Sequence, residues 1–236
     1  MTRDRFVLGI DTAARHGSIA LVRNGAAIAW ESLQPGAHSS GLSEAGERLL
    51  KQQNIEWRDL AGIAVSEGPG SFTGLRIGLA WAKGICVGSN INLVLVSAHE
   101  AAAAMHRREG ELVATIMQGE RGSAQGALWS GGAIPTPLWG PESIPEEDLA
   151  TRLLAATKPA RGPEVPIGIT APDLRPELRD QFHRAGFVML DGEKPAPAAM
   201  AVAELGDRKL LAGEAVDPVR AAPAYGRAPN ARKPAS

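Results

Sequence analysis

Ser66-Glu67-Gly68-Pro69-Gly70-Ser71-Phe72-Thr73-Gly74-Leu75-Arg76-Ile77-Gly78-Leu79-Ala80-Trp81-Ala82-Lys83-Gly84-Ile85 is the stretch on which the fold turns. Ile63, Ala64 and Val65, just before it, read as the end of a buried strand. Gly68-Pro69-Gly70 enforces a turn, because glycine takes φ values other residues avoid and proline fixes its own. Ser71 or Thr73 can then cap a helix with its hydroxyl. Gly74, Gly78 and Ala82 recur at a spacing of four in that helix, so they line one face and leave it flat. Glycine inside a helix costs about 1 kcal/mol relative to alanine. Tight packing against another helix is the compensation this pattern predicts. That helix can belong to the same core or to a partner, and the stretch taken by itself favours the core.

Upstream, residues 6–10 read as a buried strand, Asp11-Thr12-Ala13 as a turn and residues 18–22 as a second strand. Asn24-Gly25 is a strong hairpin signal leading to a third strand over 26–30. Strand, acidic turn, strand, hairpin, strand is how actin/hexokinase/Hsp70-like folds begin. In active members the acidic turn lies near the nucleotide phosphates and their metal. For Asp11 and Thr12 the alternative is a turn stabilised by an aspartate bonded to nearby backbone, and the residues leave both readings open. Ser39 or Ser40 can cap a helix to about Gln53, with Leu42, Ala45 and Leu49 on one face and Gly41 and Gly46 beside them.

Downstream, residues 91–96 read as a strand, and Ser97-Ala98-His99-Glu100 as a capping box opening an alanine-rich helix to about Gly110. Strands follow over 111–117 and 124–129. Ser143-Ile144-Pro145-Glu146 reads as another capping box, for a helix to about Ala156. Strands are expected over 165–169 and 187–190, and helices over 176–185 and 198–211. The pattern divides into two α/β lobes. These are a first lobe over 1–105, a smaller, degenerate second lobe over 106–215, and a tail over 216–236 expected to lose order past Arg227.

The chain's 236 residues, 44% hydrophobic and 22% charged, suit an ordinary globular protein. A net charge of −1 argues against strong RNA binding by this chain alone, because such affinity rests on neutralising phosphates. The single cysteine, Cys86, cannot form an internal disulfide and reads as a small buried residue, which suits the cytoplasm. No signal peptide or membrane span is evident.

The block over 68–84 resembles the signature of the TsaB (YeaZ) family. Gly9-Ile10-Asp11-Thr12-Ala13 with Ser18-Ile19-Ala20-Leu21, His38-Ser39-Ser40, and Pro223-Ala224-Tyr225-Gly226-Arg227 are similar to other parts of those proteins. The likeness is densest over 6–100 and thin over 118–215. It implies a two-lobed actin/hexokinase/Hsp70-like (ASKHA) α/β fold. It also implies a non-catalytic dimerization subunit of the machinery forming N6-threonylcarbamoyladenosine in tRNA, next to the anticodon of tRNAs reading codons that begin with A. Such chains pair with a related catalytic protein, TsaD, or with a second copy of themselves. A small ATPase, TsaE, joins the assembly, and tRNA is met through the complex. Pairing runs through first-lobe helices, so the resemblance places His38, Leu42, Ala45, Leu49, Ser71, Gly74, Leu75, Arg76, Gly78, Leu79 and Ala82 at the partner interface. Arg76 and Lys83 would form a charged rim, although a solvated helix face accounts for them as well.

Catalytic groups are mostly missing from the sequence. None of the five histidines lies four from another, so the His-x-x-x-His pair with which catalytic relatives hold a metal is missing. His99 and His106 are two helical turns apart, roughly 10 Å along the axis, too far to share a zinc whose nitrogen ligands sit about 2 Å away. They read as solvated surface histidines. Where a second-lobe phosphate site belongs, the chain has Gln118, Ser123 and Gln125, with Glu120 and Arg121 at a hairpin tip. No phosphate-loop lysine motif and no nucleophile elbow occur. The expectation is no metal and no cofactor of its own, with at most weak ATP or ADP binding at a vestigial Asp11–Thr12 site. The alternative is an ATPase or sugar-kinase-like phosphotransferase of the same fold.

Overall fold

The computed structural model describes residues 4–14, 17–34, 40–106, 111–119, 122–132, 134–158, 167–171, 175–190 and 197–224. The first sheet holds β1 (Phe6–Asp11), β2 (Ser18–Arg23), β3 (Ala26–Ser32), β4 (Leu60–Gly68) and β5 (Asn92–Ser97) in the order β3-β2-β1-β4-β5. β1, β2 and β3 pair antiparallel, while β1, β4 and β5 pair parallel. The Asn24-Gly25 hairpin forms as expected, with φ of 52° and 82° at its two residues. The parallel strands are near-continuous buried runs, because helices cover both faces of the sheet.

One face carries α1 (Ser40–Gln52) and α2 (Phe72–Ser89) over Leu8, Ile10, Ile63, Val65 and Leu93. The other carries α3 (Ala98–Ala104) and α6 (Ala198–Leu211) over Val7, Ala64, Val94 and Val96. The second sheet consists of β6 (Leu112–Gln118), β7 (Ser123–Ser130), β8 (Thr136–Pro145), β9 (Ile167–Thr170) and β10 (Phe187–Met189), in the order β10-β9-β6-β7-β8. Read from β8, that order repeats the first sheet: two antiparallel neighbours, then two parallel ones. The helices α4 (Leu149–Thr157) and α5 (Pro176–Arg184) supply its core with Leu149, Leu153 and Phe182.

Four expectations are corrected here. Residues 143–145 do not open a helix. They extend β8, where Ser143 pairs with Gln125 and Pro145 with Ser123, so the ladder to β7 overrides the local capping signal. Three prolines disguise this strand in the sequence, and its edge position tolerates them. Ser97 makes no capping bond with its side chain, and Glu100 pairs instead with Lys209 at 3.3 Å. The alanine-rich helix stops at Ala104, short of residue 110. Finally, α6, assigned from sequence to the second lobe over 106–215, lies on the first sheet. A Cβ at Gly9 would stand 2.5 Å from the Ala199 carbonyl, and one at Gly206 would stand 2.2 Å from the Ala64 methyl. Helix and sheet therefore meet backbone to backbone. Arg5 clamps this helix through a two-pronged pair to the buried Asp207, at 2.5 and 2.8 Å.

Beyond α6, residues 212–224 return along the first lobe as a strap. The Val216 amide donates to the Leu93 carbonyl at 2.8 Å and covers the free edge of β5. The tail expected to lose order, past Arg227, lies outside the described residues.

Candidate functional site

The glycine stretch folds as its sequence dictates, and its flat face looks inward. Ser71 caps α2 by accepting the Gly74 amide at 3.2 Å. A Cβ at Gly74 would come within 1.9 Å of the Thr12 carbonyl oxygen, and one at Gly78 within 2.3 Å of Thr12 Oγ1. The Thr12 hydroxyl donates to the Gly74 carbonyl at 2.8 Å, and the Ser71 amide donates to the Ala13 carbonyl at 2.8 Å. The small residues therefore seat the turn between β1 and β2.

This corrects the sequence-based interface. Leu42, Ala45, Leu49, Gly74, Leu75, Gly78, Leu79 and Ala82 are all buried inside the lobe. The physical reason is legible in retrospect. Leu75 and Leu79 share a stripe with Gly74 and Gly78, and large apolar side chains draw that stripe into the core. Ser71 and Arg76 are exposed, and the Arg76 guanidinium lies 3.8 Å over the Phe72 ring. His38 lies outside the described residues. Lys83 is no free rim charge, because its ammonium donates to the Val219 and Ala221 carbonyls of the strap at 3.0 and 2.9 Å.

The outward face of α2 carries Arg76, Ala80, Gly84 and Gly88, again at a spacing of four. This stripe is offset by two residues from the buried one, about 200° round the helix. Nothing lies within 4 Å of a Cβ at Gly84 or Gly88. Two large apolar side chains flank it, Phe72 at 54% and Val87 at 61% exposure. Trp81 ties the helix to α1 by donating to Ser43 Oγ at 2.8 Å and meeting Trp57 edge-on at 5.8 Å. The reading from sequence passed over Gly84 and Gly88.

Polar groups gather at the C-terminal ends of the parallel strands β1 and β4. Asp11 is buried and accepts the Ala13 amide at 3.3 Å. Ser66 Oγ is buried without a hydrogen-bond partner. Burial raises the Glu67 carboxyl, Lys209 opposing the shift and Glu100 adding to it. Burial alone would lower Lys209, but Glu100 and Glu214 more than offset that and leave it raised. The Cys86 thiol, buried as expected, is pushed up to about 11. His99 contradicts its expectation as a surface residue. It is fully buried, and burial lowers it to about 4, with Gln125 opposing. The described residues include no group of three or more His, Cys, Asp or Glu arranged to hold a metal. Gln118 ends β6 and Ser123 opens β7, while Glu120 and Arg121 at the intervening tip lie outside the described residues.

The family model for "TsaD: tRNA N6-adenosine threonylcarbamoyltransferase" matches residues 34–126. The "tRNA threonylcarbamoyladenosine biosynthesis protein TsaB" of Escherichia coli K12 is 28% identical over 234 residues, covering 93% of each chain. Among solved structures, a Pseudomonas aeruginosa protein described as similar to peptidase YEAZ superposes with a TM-score of 0.77. It is 22% identical and covers 94% of this chain and 100% of its own. A ROK hexokinase from Thermus thermophilus superposes at 0.51 with 14% identity, covering 87% and 99%, and shares the two-lobed ASKHA fold. Along nearly its whole length, then, this chain is similar in sequence to a TsaB protein and in fold to YeaZ.

Proposed function

We propose that this chain is the non-catalytic, partner-holding subunit of a cytoplasmic assembly that forms N6-threonylcarbamoyladenosine in tRNA. The modified adenosine lies next to the anticodon of tRNAs reading codons that begin with A. Its principal partner is a TsaD-like catalytic protein, a TsaE-like ATPase joins the pair, and a second copy of this chain takes the partner's place when it is missing. The observation that carries this reading is the Thr12 hydroxyl bound to Gly74 beneath a closed glycine stripe. In a phosphotransferase of this fold, that turn faces phosphate. Here its hydroxyl is committed to holding α2, so nucleotide binding by the isolated chain is weak at most. The outward stripe of α2, with Phe72 and Val87 at its sides, is the surface offered to the partner. Small residues there let a second helix approach closely.

Likeness to TsaB supports the pathway, and the missing His-x-x-x-His pair supports the division of labour. No helix among the described residues is long and apolar enough to cross a membrane. Reconstitution tests the proposal. With threonine, bicarbonate, ATP and the enzyme that makes the carbamoyl-adenylate, this chain alone yields no modified adenosine by mass spectrometry of digested tRNA. Adding the TsaD-like and TsaE-like proteins restores modification, and omitting this chain abolishes it. Modification without the catalytic partner would establish an enzyme instead. ATP turnover by the pure chain, lost in Asp11→Ala, would favour the phosphotransferase.

A further inference from the structure

His99 lies in the first turn of α3, on the first lobe, yet its ring is buried against the second. Its Nδ1 lies 2.7 Å from Thr115 Oγ1 on β6, and Trp129 Nε1 on β7 donates to that same oxygen at 3.0 Å. Trp129 therefore occupies one lone pair of the hydroxyl, which leaves its proton free to point at Nδ1. Around this pin Ala103 of α3 packs with Val113, Ala127 and Trp129, and Leu190 leans on the same cluster. Burial disfavours the charged His99 ring, with Gln125 opposing, and the Thr115 hydroxyl meets its Nδ1. Glu100 follows it on α3, and that carboxylate is engaged by Lys209 of α6. Opening the lobes here would expose the apolar cluster and break the buried His99–Thr115 hydrogen bond, leaving a donor and an acceptor to be resolvated, while the Trp129–Thr115 bond within the second sheet holds the hydroxyl in place for His99.

We infer that His99, Thr115 and Trp129 form a lock that holds the two lobes at one fixed angle. The chain then lacks the hinge closure by which two-lobed phosphotransferases enclose a nucleotide, and presents α2 from a rigid body. This goes beyond the proposed role, since a scaffold with mobile lobes would still support tRNA modification and the reconstitution assay would report it separately. Spin labels at Gln53→Cys and Glu147→Cys, exposed positions on the first and second lobes, report the inter-lobe distance. The expected result is one narrow distance distribution, with no shift on adding magnesium and ATP. Thr115→Val, which removes the shared hydroxyl at nearly constant volume, broadens the distribution, and Thr115→Ser restores it. A nucleotide-dependent shift in the protein with native Thr115 overturns the lock whether or not the valine variant folds. So does a folded Thr115→Val protein with an unbroadened distribution.

Discussion

Gly78 and Gly84 lie six residues apart on α2 and respond in opposite directions to the same substitution. Gly84→Ala adds a methyl where nothing lies within 4 Å, so only helix propensity changes, and urea denaturation should show a gain of about 1 kcal/mol. Gly78→Ala drives a methyl to 2.3 Å from Thr12 Oγ1. The turn must shift and its bond to Gly74 weakens, so a loss of roughly 1–3 kcal/mol is expected. Equal shifts for the two variants would refute the assignment of faces. His99 makes a second prediction at this scale. Its folded value of about 4 lies below the ordinary 6.5 because burial disfavours the charged ring. Between those values the unfolded chain binds the proton and the folded chain does not. Stability from this group is therefore complete above pH 6.5 and lost as pH falls toward 4, by about 3 kcal/mol. Denaturation midpoints across that window should show the slope, and a folded His99→Gln protein should lack this component. What the sequence could not reveal was the burial of His99. Nothing local marks it, because Thr115, which it meets, and Trp129, which shares that hydroxyl, lie on strands of the other lobe.

The strap and α2 are joined chiefly by one lysine. Lys83 holds the Val219 and Ala221 carbonyls, and the Ala224 amide donates to the Glu67 carbonyl at 2.9 Å, at the head of the glycine turn. Lys83→Met keeps the aliphatic stem and removes the ammonium. The amides of Ala221 and Ala224 should then exchange with deuterium faster, while that of Val216, held by Leu93, changes less. Unchanged exchange at Ala224 would show that the strap holds without the latch. Elements with strong local signals were legible in the sequence: the Asn24-Gly25 hairpin, the Ser71 cap, and α6 at Ala198–Leu211. Those set by pairing were not. β8 carries Pro137, Pro141 and Pro145 and becomes a strand only because β7 is there to pair with it.

At the scale of the whole molecule, two sheets repeat one strand order, and helices from the first and last parts of the chain share one face of the first sheet. The two-lobed class was readable from alternating strands and helices. The return of α6 to the first lobe was not, because an alanine-rich amphipathic helix fits either sheet equally well until its close approach at Gly9 is seen. The stripe assigned from sequence to a partner is buried for a related reason: two small-residue stripes lie on one helix, and only the neighbouring leucines tell inside from outside. The central claim is that the outward stripe of α2 receives the catalytic partner. Gly84→Arg tests it most directly, because its site is open and the variant should fold like the native chain by circular dichroism. Mixed with the TsaD-like protein and passed over a sizing column with light-scattering detection, it should elute apart from the partner. In the complete reconstitution it should also lower the yield of modified adenosine by roughly tenfold or more. A Gly84→Arg chain that assembles and supports modification as well as the native one would contradict the account.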